Sequence, residues 1–341
     1  MKGFDMEKVV FDKAGPPDAL YSVSVDTPEP GPDQVLLETS MAGVNYIDVY
    51  LRSGQLPGQI VPGSGIGVES VGRIVRVGER VSQKLVGQRA AAVGGNPGGY
   101  ASHRLVAHDR IIPLPDDISD EVAAALLFKG LTVEYLINRC TPVTSGQTVL
   151  WHAAAGGVGC IAGQWLKHKG ARVIGTVGDE RKVSIAKDHG HSEVLLSGSP
   201  SLVEDVKALT GGRGVDVVFD SIGAATFDAS LAVLKPRGHL VLFGNASGKV
   251  DCFDTSRLGA QGSVYMTRPS IAHYISDTDE FRQAVSEVFA AIRAGVITPG
   301  KVNKFDLHDA ATAHRALEGR RLIGSTVLLP SHKPMPDTSA L

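Results

Sequence analysis

The stretch His152-Ala153-Ala154-Ala155-Gly156-Gly157-Val158-Gly159 sets the tightest limit on what this chain can fold into. It follows a short apolar run, Thr148-Val149-Leu150-Trp151, that reads as a buried strand. Beyond it Val158, Ile161, Ala162, Trp165 and Leu166 recur at helical spacing, and Gly170 supplies a C-terminal stop. A second apolar run covers residues 171–177. Strand, glycine turn, helix and strand within about thirty residues make one parallel βαβ unit. Glycines at such a turn let the backbone approach a pyrophosphate, and the free N–H groups of the first helical turn point at its charge. The first glycine of the usual G-x-G-x-x-G pattern is Ala154 here, so the string alone also fits a tight structural turn. The flanking strands and helix favour the nucleotide site.

A length of 341 residues allows two domains, each with its own core. A net charge of −2 argues against a dedicated nucleic-acid surface. Residues 1–10 carry charges and no apolar core, unlike a signal peptide, and no apolar run reaches membrane-spanning length. Cys140, Cys160 and Cys252 are too scattered for a disulfide framework or a C-x-x-C pair, so the cytoplasm is the expected compartment. Cys160, inside the helix after the glycine turn, reads as a thiol packing as a small hydrophobe.

Residues 1–110 read as β-rich. Val35-Leu36-Leu37-Glu38-Thr39 and Val71-Gly72-Arg73-Ile74-Val75-Arg76-Val77 look like strands, and Gly/Pro turns such as Pro28-Glu29-Pro30-Gly31-Pro32 separate such runs. This predicts a compact, barrel-like β domain. Ser119 or Asp120 can cap a helix over 122–128, with a second helix over 131–138. After the first βαβ unit, helices 181–189, 202–209 and 226–234 alternate with strands 193–196, 215–220 and 239–243, and 263–266 ends the series. Those strands fit an α/β fold with a doubly wound parallel sheet. Two further helices, 279–294 and 307–318, and a last strand, 324–329, complete the chain. The tail 331–337 has nothing to pack against and is expected to fray.

Several strings occur in a fixed order: Gly43-Val44-Asn45-Tyr46-Ile47-Asp48, Lys129-Gly130-Leu131-Thr132, the glycine turn, Gly175-Thr176-Val177-Gly178, Asp220-Ser221-Ile222-Gly223, Phe243-Gly244-Asn245-Ala246-Ser247-Gly248 and Thr267-Arg268-Pro269-Ser270. Through them the chain resembles the NADPH:quinone oxidoreductases, the zinc-free, zeta-crystallin-like branch of the medium-chain dehydrogenase/reductase superfamily, over residues 7–330. The resemblance implies a GroES-like catalytic domain made from residues 1–130 and 268–341. A Rossmann NADPH-binding domain, 131–267, lies between them in sequence. It implies reduction of a quinone by NADPH without metal. Enoyl or alkenal reduction is the neighbouring activity, and crystallin-like or RNA-binding relatives represent a non-catalytic class. It also implies a homodimer paired through strand 263–266, whose edge would otherwise expose Val264 and Met266.

Zinc-dependent relatives carry a cysteine and a histidine where this chain has Asn45 and Val68, and an amide and an isopropyl group cannot replace thiolate and imidazole. Residues 1–139 contain no cysteine for a structural zinc lobe, and His103 and His108 read as surface histidines. NAD enzymes end the second strand in an acid that holds the ribose 2′-hydroxyl. Val177 stands there, Asp179 comes two residues late, and Arg181 and Lys182 follow where a 2′-phosphate could meet a cation. This favours NADPH over NADH. The family's tyrosine after the third strand is Ser197 here, which loosens that preference.

By resemblance, the cofactor is held by Asn45, Thr132, Ala155, Gly156, Gly157, Val158, Gly178, Lys182, Ser197, Ser221, Phe243, Gly244, Ser247 and Arg320. Asn45, Tyr50 and Tyr135 face the acceptor, with Asn45 and Tyr50 on a loop whose amide and phenol suit a quinone carbonyl. Asp48 is expected to anchor that loop. Leu56 replaces a family tyrosine and makes the pocket more apolar.

Overall fold

A computed structural model describes residues 5–56, 61, 63 and 65–331. The tail expected to fray lies, from His332 onward, outside the described residues. The chain divides into two units, Met1–Phe128 with Val302–Leu341, and Lys129–Lys301.

The second unit is built on a six-stranded sheet. Its order is Glu193–Leu196, Arg172–Val177, Thr148–Trp151, Val215–Asp220, Leu234–Leu242, Tyr265–Thr267. Every pairing in it is parallel, with Leu150 opposite Ile174 on one side and Val218 on the other. Parallel strands covered on both faces need nearly continuous apolar runs, and Leu150, Ile174, Val218 and Leu240 are all fully buried. The first strand in sequence sits mid-sheet, so the strand order reverses beside it. Ligands of such sheets bind at that reversal, outside the carboxyl ends of the strands.

The first unit holds a seven-stranded sheet and a two-stranded one, Asp5–Val10 with Tyr21–Asp26. Its organiser is Gln34–Val44, which pairs antiparallel with Glu69–Val77, His103–Ala107 and Ser325–Leu329. Register shifts at Leu36/Leu37 and Thr39/Met41 bend this strand, as bulges do. Ser325–Leu329 is what brings the C-terminal segment back to the N-terminal strands.

Two expectations differ from what is found. The return to the first unit comes at Val302, later than the expected 268. Residues 268–301 pack within the second unit: Tyr274 stacks on Tyr135 at 4.6 Å, and Gln164 Nε2 donates to the Thr298 carbonyl at 3.2 Å. The helices expected over 122–128 and 131–138 are one helix, Asp120–Glu134, followed by a π-helical turn, Tyr135–Cys140. Ser119 Oγ accepts from Val122 N at its start. Gly130 does not break the helix. It admits helix Thr278–Arg293, because a Cβ there would stand 2.9 Å from Val288 Cγ1.

Gly130→Val should therefore overpack this helix crossing and cost about 1–3 kcal/mol. The expected readout is a lower urea midpoint at unchanged slope; an unmoved midpoint would show that the crossing has slack.

Candidate active site

The glycine turn is shaped by close backbone approaches. Ala153 takes a positive φ of 56°, and Gly156 caps helix Gly157–His168 with no side-chain bond to its N–H groups. Those N–H groups are left to a ligand or to solvent. A Cβ on Gly159 would lie 2.4 Å from the Ala153 carbonyl oxygen, so no other residue fits between turn and helix. Ala154 can stand in for the pattern's first glycine because its neighbour is Gly175, where a Cβ would come within 2.7 Å of the Ala154 methyl.

A buried chain of hydrogen bonds ties this turn to the next crevice loop. Asp220 Oδ2 accepts from Thr226 Oγ1 and Ser230 Oγ, both at 2.7 Å. Ser230, having donated its proton, accepts from His152 Nε2 at 2.9 Å. His152 is therefore the neutral Nε2–H tautomer, and its Nδ1 accepts from Thr176 Oγ1 at 2.8 Å. Burial pushes the imidazole pKa down, against the pull of the Asp220 charge, which fits the neutral form. Asp220 Oδ1 accepts from Ile222 N and Gly223 N, which shapes the loop that carries Ser221. Ser247 Oγ donates to the Ile222 carbonyl and accepts from Ala225 N, joining that loop to the Phe243–Gly244 turn. A Cβ on Gly244 would stand 2.4 Å from the Ser221 carbonyl oxygen, so these loops touch through backbone. Ser247 is thus engaged in holding the loops.

At the end of the second strand, Val177 closes the strand and Ser197 N donates to the Val177 carbonyl at 2.8 Å. Gly178 and Ser197 come together at this edge, with Ser197 Oγ 3.9 Å from where a Gly178 Cβ would be, and Lys182 ends the 3₁₀ turn that follows. The helix expected over 181–189 is a 3₁₀ turn, Glu180–Lys182, and then Val183–Asp188. Asp179 caps that turn and holds Arg181, so Arg181 is committed to a carboxylate. Thr132, half-buried, lies in helix Asp120–Glu134. Tyr135 opens the π-helical turn, a feature frequent at functional sites, and is buried under Tyr274. Arg139 stacks over Tyr274 at 5.3 Å, so Tyr274 is an aromatic that the sequence reading passed over.

In the first unit, Asn45 and Tyr50 do not sit on a loop. They begin and line a helix, Tyr46–Arg52, whose start is fixed by Asn45 N donating to Asp48 Oδ2 at 2.9 Å. Asp48 anchors this start, accepting also from Val68 N and Tyr100 Oη. Burial, helped by the nearby Glu69 charge, pushes its carboxyl up to about 7 against those donors. Asn45 Nδ2 donates to Glu69 Oε2 at 2.9 Å, and Glu69 Oε1 accepts from Phe128 N at 3.0 Å. The amide nitrogen of Asn45 thus has one N–H on a buried carboxylate. Tyr50 meets Tyr46 edge-on at 5.3 Å. Arg320 belongs to this unit, exposed in the turn after helix Ala310–Glu318 at a φ of 55°.

Residues 31–116 match the alcohol dehydrogenase GroES-like domain, and residues 157–290 match the zinc-binding dehydrogenase domain. Quinone oxidoreductase of Salmonella typhimurium is 42% identical over 325 residues, 95% of this chain and 99% of that protein. The chain belongs to the quinone oxidoreductase family. A solved structure of Escherichia coli quinone oxidoreductase complexed with NADPH superposes with a TM-score of 0.92 at 40% identity, over 95% of this chain and 100% of that one. A 2-haloacrylate reductase of Burkholderia sp is 39% identical over 94% of this chain and 98% of its own length. The zinc implied by the matched domain does not fit this member of the quinone oxidoreductase family. Asn45 is bound to Glu69, Val68 is a buried isopropyl group, and all three cysteines lie within Lys129–Lys301. His103 is buried beside Ser102 Oγ, a correction to its reading as a surface residue. Among the described residues, the one cluster with metal-ligand spacing is Asp306, His308 and Asp309, all exposed.

Ser230→Ala would leave His152 Nε2–H without an acceptor and take one donor from Asp220. A loss of about 1–3 kcal/mol is expected, the range for stranding a buried polar group. Urea unfolding of the variant checks it; an unchanged midpoint would mean that water replaces the hydroxyl.

Proposed function

We propose that this chain is an NADPH-dependent quinone reductase that works without metal. The observation that carries the reading is the coexistence of a formed glycine turn with a catalytic motif whose zinc-ligand places are an amide bound to Glu69 and a buried valine. The turn fits a dinucleotide, since its helix start lacks a capping side chain and its third glycine has no room for a Cβ. NADPH, when bound, supplies the hydride. Backbone groups of Ala155, Gly156, Gly157 and Val158 hold the pyrophosphate. Gly178, Lys182 and Ser197 take the 2′-phosphate, and Ser221, Phe243, Gly244 and Ser247 form the crevice wall. Thr132, Arg320 and Asn45 add contacts to the cofactor. On the acceptor side, the Tyr50 hydroxyl is the donor to the carbonyl that gains negative charge, and Tyr135 supplies an aromatic wall. Asn45, held by one amide N–H on Glu69, keeps its second N–H for the acceptor or the cofactor. Without a Lewis acid to stabilise an alkoxide, simple alcohols and aldehydes are poor substrates.

Initial rates with an ortho-quinone, a para-quinone, an α,β-unsaturated ketone, and a primary alcohol with NADP⁺ test this directly. A quinone should be fastest, and Tyr50→Phe should slow it by the loss of one hydrogen bond, about 0.5–1.5 kcal/mol, with NADPH affinity kept. The similarity to a 2-haloacrylate reductase supports activated-alkene reduction as the second reading; an enone reduced far faster than either quinone would establish it instead.

The assembly proposed is a homodimer through the last sheet strand. Tyr265–Thr267 is an edge strand of the six-stranded sheet, and Tyr265 and Met266 are 58% and 37% exposed on it. The exposed pair is Tyr265 and Met266, because Val264 is buried in the unit's own core. Edges of this kind are covered or paired in stable proteins. No helix of the described residues is long and apolar enough to cross a membrane. Sedimentation at micromolar concentration should show a dimer; an active monomer would remove the assembly from the reading.

A further inference from the structure

The segment Asp179-Glu180-Arg181-Lys182 follows the ribose-binding strand and carries two acids and two bases. Its first acid cannot swing away. Asp179 Oδ1 accepts from Arg181 N at 2.9 Å and caps the 3₁₀ turn Glu180–Lys182. The Arg181 side chain then folds back over the same carboxylate. Nε donates to Oδ1 at 2.9 Å and to Oδ2 at 3.0 Å, and the second guanidinium nitrogen also bonds Oδ2. The guanidinium holds the Asp179 carboxyl down at about 2, so the acid is ionised at every working pH. This places a fixed negative charge two residues past Val177, next in sequence to Gly178, which Ser197 approaches, and three residues before Lys182.

An acid in this neighbourhood is what NAD-specific sites use to bind a ribose 2′-hydroxyl, and it repels a 2′-phosphate. We propose that Arg181 is a specificity-determining residue that neutralises Asp179 and so permits NADPH at a site that would otherwise favour NADH. The inference rests on the NADPH reading above. Arg181 acts through Asp179, because Nε and one terminal nitrogen of its guanidinium face the two carboxylate oxygens. With Arg181 removed the segment carries a net charge of −1, and the backbone cap keeps the carboxylate where it is. The same logic makes the effect electrostatic and exposed, and therefore screened by salt.

The test is equilibrium binding of NADPH and of NADH to the full chain, at low and at high salt, for the parent, Arg181→Ala, Asp179→Ser and the double variant. Serine keeps a capping oxygen while removing the charge, so the turn is preserved. Arg181→Ala should weaken NADPH about fivefold, the scale of one exposed charge interaction, and should strengthen NADH. The change in preference should shrink at high salt and vanish in the Asp179→Ser background. If Arg181→Ala weakens NADPH equally with and without Asp179, the arginine touches the phosphate itself and the inference falls. Equal loss of both nucleotides, or no change in their ratio, overturns it as well while leaving the NADPH reading intact. A parent that prefers NADH, or binds neither nucleotide, sinks that reading and the inference with it.

Discussion

Asp220 is the constraint on which the nucleotide unit depends. It is a carboxylate with no solvent contact, at the carboxyl end of a central strand. A buried charge of this kind is tolerated only where donors surround it. Here Thr226, Ser230 and two backbone N–H groups do so. The donors come from the loop over 222–226 and the helix Phe227–Ala232 that follows it, so satisfying the charge also fixes the Ser221 loop. The Ser221 loop is folded around Oδ1. Through Ser230 and His152 the glycine turn is tied to the same atom group. The cofactor would then meet loops that are already in place, which lowers the entropy lost on binding.

What the sequence revealed follows from how local each determinant is. The βαβ unit was legible because its signals are contiguous: apolar runs for strands buried on both faces, then glycines where backbone meets backbone. Ala154 departs from the glycine pattern, and the room for its methyl comes from Gly175 on the next strand, which no contiguous string encodes. The helix break expected at Gly130 was wrong for a similar reason. A glycine in a helix signals either an end or a close neighbour, and the neighbour, Val288, is far away in sequence. Tyr50 was placed on a loop because a seven-residue helix is too short to show a period. The capping acid Asp48, three residues after Asn45, was the available sign of a helix start. The late return to the first unit goes with long-range contacts of residues 268–301, such as Tyr274 on Tyr135 and Thr298 on Gln164, which no local pattern encodes.

In the first unit hydrogen bonds surround a second buried acid. A zinc site would gather soft or basic ligands around a dication. Glu69 has neutral donors instead, the Asn45 amide and the Phe128 N–H. Gly43 leaves the room: a Cβ there would fall 2.0 Å from Glu69 Oε2. The carboxylate orients an amide. Arg104, fully buried, supplies positive charge within the same unit and spends its donors on Ser70 and on the carbonyls of Ala92, Gly94 and Asn96. Burial pulls its pKa down to about 10, still charged at neutral pH. Electrostatic compensation here is spread over hydrogen bonds.

A second buried relay repeats the logic of the first in the other unit. Tyr100 Oη donates to Asp48 Oδ2 at 2.9 Å, so it must accept from His314 Nε2 at 3.1 Å. His314 is then the neutral Nε2–H tautomer, and its Nδ1 is left to accept from Arg52 NH1, at a long 3.5 Å. Arg52 in turn pairs with Glu318 at 2.6 Å. In both relays a hydroxyl passes polarity from a buried carboxylate to an imidazole, and in both the imidazole must be uncharged. A protonated ring would have two donors and would set Nδ1–H against the Arg52 guanidinium. Burial, reinforced by Arg52, pulls His314 down to about 3, so the uncharged ring persists through the neutral range. The second relay also explains how a unit assembled from both ends of the chain is held. Asp48, Arg52 and Tyr100 come from the N-terminal part, while His314 and Glu318 come from the helix near the C-terminus. The strand pairing of Ser325–Leu329 with Gln34–Val44 supplies the backbone of that join, and the relay adds side-chain hydrogen bonds across it.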